Sequence, residues 1–162
     1  MGKSRTRRAG RSYPRFVPGA SGRILVVDDN KVIRQLIRVN LELEGFEVVT
    51  AADGAEALDI VEQVRPDVVT LDVVMPRLDG LRTAARLRSA PGTREVPLVI
   101  VSACTQYEVG SGLEVGVDAF LAKPFEPAEL VTVVRGLVER GAGPSADGAA
   151  EPTGEPASRC RR

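Results

Sequence analysis

Five short runs of almost pure aliphatic residues, most of them stopping at a polar side chain, constrain this chain more than anything else in it. They are Ile24-Leu25-Val26-Val27, ending at Asp28-Asp29; Phe46 to Ala51; Asp67 to Leu71, ending at Asp72; Pro97 to Val101, ending at Ser102; and Asp118 to Ala122, ending at Lys123. Between them, apolar residues recur at helical spacing. Val32, Ile33, Leu36, Ile37 and Leu41 predict a first helix, stopped by Gly45, and Ala57, Leu58 and Val61 a second, closed by Arg65-Pro66. Leu81, Ala84, Ala85 and Leu87 mark a third, residues 104–115 a weak fourth, and Leu130, Val133, Val134, Leu137 and Val138 a fifth over Glu126 to Arg140. A strand that is apolar at nearly every position has no solvent face, so it belongs in a parallel sheet covered on both sides. Each crossover should be right-handed. The predicted fold class is α/β: a doubly wound, five-stranded parallel sheet with helices on both faces.

In such sheets ligands sit beyond the carboxyl ends of the strands, where the strand order switches. Asp28, Asp29, Asp72, Ser102 and Lys123 all fall at those ends, so residues spread over 96 positions should meet in one crevice. Three carboxylates together raise one another's pKa, and a hard divalent cation, Mg²⁺ or Mn²⁺, relieves the repulsion. With a cation and Lys123 beside it, an ionised Asp72 is a nucleophile towards phosphorus. Lys123 would neutralise phosphoryl oxygens, and the Ser102 hydroxyl would donate to the group once attached. Plainer roles compete: Asp28-Asp29 suits a helix N-cap, Ser102 could cap the fourth helix, and Phe120 could be simple core. Asp53 and Asp79 read as cap or turn residues, and Met75-Pro76 and Asp79-Gly80 as turn-shaping.

Composition narrows the chemistry. There is no histidine, which excludes imidazole bases and His metal sites from this chain. Only Lys3, Lys31 and Lys123 are lysines among 22 basic residues, a scarcity that suggests a GC-rich bacterial genome. Cys104 and Cys160 follow no disulfide or metal spacing and read as thiols in a reducing compartment. Residues 1–23 carry seven basic residues and no acid, whereas residues 24–140 carry 12 basic against 19 acidic ones. The expected organisation is a basic flexible arm over 1–22, one domain over 23–140, and a Gly/Pro/Ala-rich flexible tail over 141–162. No apolar run is long enough to span a membrane, so the expectation is a cytoplasmic protein with no membrane insertion.

Ile24 to Asp29, Leu71-Asp72-Val73-Val74-Met75-Pro76-Arg77-Leu78-Asp79-Gly80, Val101-Ser102-Ala103 and Phe120-Leu121-Ala122-Lys123-Pro124-Phe125 together resemble the receiver domain of two-component response regulators, over about residues 24–140. The resemblance implies a flavodoxin-like strand order 2-1-3-4-5, bound Mg²⁺, and phosphoryl transfer from a histidine kinase or histidine phosphotransfer protein. Residue by residue it makes Asp72 the phosphoacceptor. Asp29 and Asp72 become direct metal ligands with the Val74 carbonyl, and Asp28 acts mainly through water. Lys123 pairs with the phosphoryl group and is followed by a cis peptide at Pro124. Ser102 and Phe120 match the switch pair: Ser102 would move to the phosphoryl oxygens and Phe120 would turn inward. The fourth helix, fifth strand and fifth helix would be read by a downstream protein target or by a second copy in a homodimer.

Some features depart from that pattern. The 22 residues after Arg140 are too few for an output domain, so the expected product acts through a partner and is not a conventional enzyme. Gly110 and Gly112 predict a short, frayed or distorted fourth helix, and the Ser102-to-Lys123 interval is one residue short. Val74 and Cys104 offer little to orient an attacking water, which predicts slow autodephosphorylation. Other functions fit less well. A haloacid-dehalogenase-type phosphatase would need an acid at Val74, and a dinucleotide enzyme a Gly-rich turn at Asp28-Asp29-Asn30-Lys31. A phosphorylation-independent interaction module would retain the fold but lose Mg²⁺. Nucleic-acid tethering through the basic arm would show a steep salt dependence.

Overall fold

The computed structural model describes residues 21–103 and 105–142, so the arm up to residue 20, the tail from residue 143, Cys104 and Cys160 lie outside the described residues. Strands and helices alternate: β1 (Arg23–Val27), α1 (Lys31–Leu43), β2 (Glu47–Ala51), α2 (Gly54–Val64), β3 (Val68–Leu71), α3 (Gly80–Ser89), β4 (Leu98–Ser102), α4 (Gln106–Val115), β5 (Ala119–Ala122) and α5 (Pro127–Ala142). All strand pairs are parallel and the order is β2-β1-β3-β4-β5.

Alternation along each strand builds two cores. Leu25, Val27, Val69, Leu71, Leu98, Ile100 and Phe120 point to one face, where Ala57 and Val61 of α2 and Ala84 and Leu87 of α3 cover them. Ile24, Val26, Val68, Val99, Val101 and Leu121 point to the other, under Ile37 and Leu41 of α1 and Leu130, Val134 and Leu137 of α5. Each such side chain fully withdrawn from water contributes about 1.5–3 kcal/mol before entropy is charged against it. Arg23 is the first residue of the domain and is drawn into the fold. It is buried at the start of β1, with its guanidinium 3.0 Å from Glu47 and donating to the Val64 carbonyl at 2.6 Å.

Two helices differ from the sequence expectation. On α1, Ile37 and Leu41 are buried, but Val32 and Leu36 join Val39 and Leu43 in an exposed apolar stripe. Residues 33, 37 and 41 already fill the core stripe, and 32, 36, 39 and 43 lie on the neighbouring face. The fourth helix, expected to be short, frayed or distorted, is a regular ten-residue α-helix capped at both ends. Thr105 and Glu108 form a reciprocal capping box at its start, and Gly116, at φ +103°, closes it in the left-handed conformation. Gly112 has a packing reason: a Cβ there would come within 2.8 Å of the Phe120 ring. Gly110 has open space around it, so only its conformational entropy weakens α4.

Candidate functional site

The site grows out of backbone pairing at the centre of the sheet. Val27 and Leu71 are register partners in the β1–β3 pair, which leaves Asp28 and Asp72 one position beyond the last pairing. The Asp72 N–H donates to the Val27 carbonyl at 3.0 Å, and the Asp28 N–H to the Ala51 carbonyl at 3.2 Å. Both backbones are therefore held by the ladder. Asp29 follows in the β1–α1 turn, and carboxylate oxygens of Asp28, Asp29 and Asp72 lie within 4.8 Å of one another. Asp28 and Asp72 are buried and Asp29 is exposed. Lys123 reaches the same point from the end of β5, with Nζ 3.1 Å from Asp28 Oδ2 and 3.5 Å from Asp72 Oδ1. Asp28 Oδ1 accepts the Asn30 N–H at 2.9 Å.

Like charges at this spacing have a visible cost. Burial first, and then the Asp28 charge, push the Asp72 carboxyl from 3.8 up to about 6, while Lys123 pulls it the other way. Asp72 is thus mostly ionised at neutral pH, but as an anion short of counter-charge. The donor set is all oxygen and anionic, which suits a hard divalent cation. Asp28, Asp29 and Asp72 therefore fit such an ion as a donor set and are the residues that would hold it.

The β3–α3 loop, residues 72–79, is shaped by Gly80. A Cβ on Gly80 would collide with the Asp72 carbonyl oxygen, and the Gly80 N–H donates to the Val73 carbonyl at 2.9 Å. Val74, in that loop, exposes its side chain. The Lys123–Pro124 peptide is cis. Asp53 and Asp79 cap α2 and α3, accepting from the Glu56 and Arg82 N–H groups. Asn30, rather than Asp28 or Asp29, caps α1, and Thr105, rather than Ser102, caps α4.

Ser102 stands at the end of β4, beside Lys123, whose N–H donates to the Ser102 carbonyl at 2.8 Å. Its hydroxyl donates to Glu108 Oε1 at 2.8 Å. Phe120 is fully buried, with its ring under Gly112 of α4. Sequence reasoning missed Glu108. The Thr105-x-x-Glu108 spacing reveals its capping role, but nothing in the spacing reveals the bond to Ser102.

Comparison with known proteins agrees with this architecture. The family model described as the response regulator receiver domain matches residues 24–135. The response regulator MprA of Mycolicibacterium vanbaalenii is 44% identical over 130 residues, covering 76% of this chain and 55% of that protein. Its counterpart in Mycobacterium bovis is 43% identical over 121 residues, 74% of this chain and 52% of the relative. This chain spans about half the length of the curated relatives it matches. Among solved structures, the chemotaxis protein CheY4 of Vibrio cholerae superposes with a TM-score of 0.68 at 33% identity, covering 71% of this chain and 97% of that one. The receiver domain of a sensor histidine kinase from Pseudomonas aeruginosa, with a magnesium ion coordinated in its active-site cleft, gives 0.69 at 32% identity, covering 74% and 99%. The fold is that of a signal receiver domain. The chain belongs to the response regulator receiver domain family of two-component systems. No helix among the described residues is long and apolar enough to cross a membrane.

Proposed function

We propose that Asp72 accepts a phosphoryl group from a histidine kinase or histidine phosphotransfer protein, and that the domain over residues 23–140 works as a cytoplasmic switch. The observation that carries this reading is the convergence of Asp28, Asp29, Asp72 and Lys123 at one mouth. Asp28, Asp29 and Asp72, with the Val74 carbonyl, would hold Mg²⁺, which supplies positive charge against the phosphoryl oxygens. An Asp72 carboxylate oxygen forms the new O–P bond as the P–N bond of the donor phosphohistidine breaks, and the imidazole leaves with the electron pair. Lys123, already within 3.5 Å of Asp72, stabilises the transferring group. Ser102 then donates its hydroxyl to a phosphoryl oxygen, and Phe120 belongs to the same switch; in this structure its ring already lies in the interior. The domain assists its own phosphorylation and dephosphorylation and turns over no separate substrate.

The exposed α1 stripe supports a helical phosphodonor. Val32, Leu36, Val39 and Leu43 follow the 4-3-4 spacing of a helix-packing seam, and its first residue lies three positions from Asp29. A helix laid along that seam would carry a histidine to the mouth.

Intact mass after incubation with a small phosphodonor tests the reading. The expected result is a gain of one phosphoryl group that requires Mg²⁺ and is abolished in Asp72→Asn. A folded, Mg²⁺-binding protein that gains no mass from either a small donor or phosphorylated kinases would overturn it.

A further inference from the structure

The side chain that engages the Ser102 hydroxyl is not part of the acidic mouth. Glu108 is 8% exposed, and one oxygen, Oε1, takes both the Ser102 Oγ–H at 2.8 Å and the Thr105 N–H at 3.4 Å. The Glu108 N–H in turn donates to Thr105 Oγ1 at 3.1 Å. The first turn of α4 and the end of β4 are thus joined through one buried carboxylate oxygen. A hydroxyl has a single proton to donate, so Ser102 cannot give it to Glu108 and to a phosphoryl oxygen at the same time. A hydrogen bond to a charged acceptor is worth more than one to a neutral acceptor.

We propose that Glu108 is a positioning residue that latches Ser102 in the unphosphorylated state and makes its release the event felt at the N-terminus of α4. This rests on the reading of Asp72 as phosphoacceptor. Anything bound to Asp72 that needs the Ser102 proton must outcompete Glu108, so the latch lowers affinity for the phosphoryl group. Release withdraws the Ser102 hydroxyl from Glu108 Oε1 and leaves the Thr105 N–H of the capping box on that oxygen. Phosphorylation is thereby transmitted to α4 through a side-chain exchange that needs no movement of the sheet.

The test uses beryllofluoride with Mg²⁺, a stable mimic of the phosphoryl group, titrated into the full chain. Glu108→Ala should bind it about five- to tenfold more tightly than the parent, with Mg²⁺ affinity as the control for an intact mouth. Glu108→Gln, whose amide oxygen still accepts, should fall between the two. Thr105→Ala breaks the capping box but spares the Ser102 bond, so its affinity should match the parent. In a Ser102→Ala background the Glu108→Ala gain should vanish. Unchanged affinity in Glu108→Ala, an equal gain in Thr105→Ala, or a gain that persists without Ser102 would each overturn the latch while leaving the phosphoacceptor reading in place. A parent protein that binds Mg²⁺ but not beryllofluoride would overturn both.

Discussion

The mouth formed by Asp28, Asp29, Asp72 and Lys123 and the linkage of Ser102, Glu108 and Thr105 stand side by side at the carboxyl edge of the sheet, yet they are built on opposite terms. At the mouth, three carboxylates gather where one lysine reaches two of them, Asp28 and Asp72, and Asp72 carries the imbalance as a raised pKa. In the linkage, the hydroxyl has an acceptor and the carboxylate has donors. One region is short of charge partners and gains from a cation or a transferred group. The other is satisfied as it stands and must give up a bond to change. A switch needs both, because a site that gained nothing would not react, and a relay already unsatisfied would have no second state to move to.

Substitutions can sharpen or break that contrast. The largest effect should come from Gly80→Ala. The added methyl has nowhere to go but the Asp72 carbonyl, so we expect a loss of about 3 kcal/mol in urea unfolding and no phosphoryl gain by mass. Near-parental stability would show that the loop holding Asp72 is soft rather than set by this close approach.

Next is Asp72→Asn, which tests whether the mouth is strained by charge. In the fold the Asp72 carboxyl is pushed up to about 6, against 3.8 for the free group, so the protonated form is favoured by folding. That contribution is fully present below pH 3.8 and is lost as pH rises through about 6, which leaves the parent about 3 kcal/mol worse off at pH 7.5. The asparagine variant escapes the loss. It should exceed the parent in stability at pH 7.5 by up to that amount, and the gap should close towards pH 3.5. Saturating Mg²⁺ should narrow the gap from the other side, by stabilising only the parent. A difference that is flat with pH would remove the electrostatic half of the comparison.

The smallest effects separate the two glycines of α4. Gly112→Ala should cost about 1–2 kcal/mol, because its methyl meets the Phe120 ring. Gly110→Ala should stabilise by about 1 kcal/mol, since nothing lies near it and only backbone entropy changes. Thermal melts of the pair give the sign directly. Equal effects would mean that α4 does not pack on Phe120 as described.

How much of this could be read in advance follows the same division. The mouth was legible because a parallel sheet sends every strand end to one edge, so Asp28, Asp72 and Lys123 are brought together by topology alone. The linkage was not. Glu108 looks like any acidic residue in a first helical turn, and its second bond depends on side-chain reach. Gly112 counted against α4 by propensity, whereas tertiary packing against Phe120 requires it. On α1, periodicity identifies apolar residues but does not say which of two adjacent stripes faces the core, so Val32 and Leu36 look the same as Ile37 and Leu41 in the sequence although only the latter two are buried.

Val27 and Leu71 form the rung on which the two buried acids stand. Neighbouring strands stand about 4.8 Å apart, a spacing dictated by peptide geometry and indifferent to side chains. Asp28 and Asp72 inherit that spacing from the rung beneath them. A lineage descending from this chain could exchange its loops, its helix faces and its partners, and the two acids would still confront each other across the same gap. The reactive centre is insulated from drift in everything that surrounds it, so new signalling connections can be tried without rebuilding the chemistry they depend on.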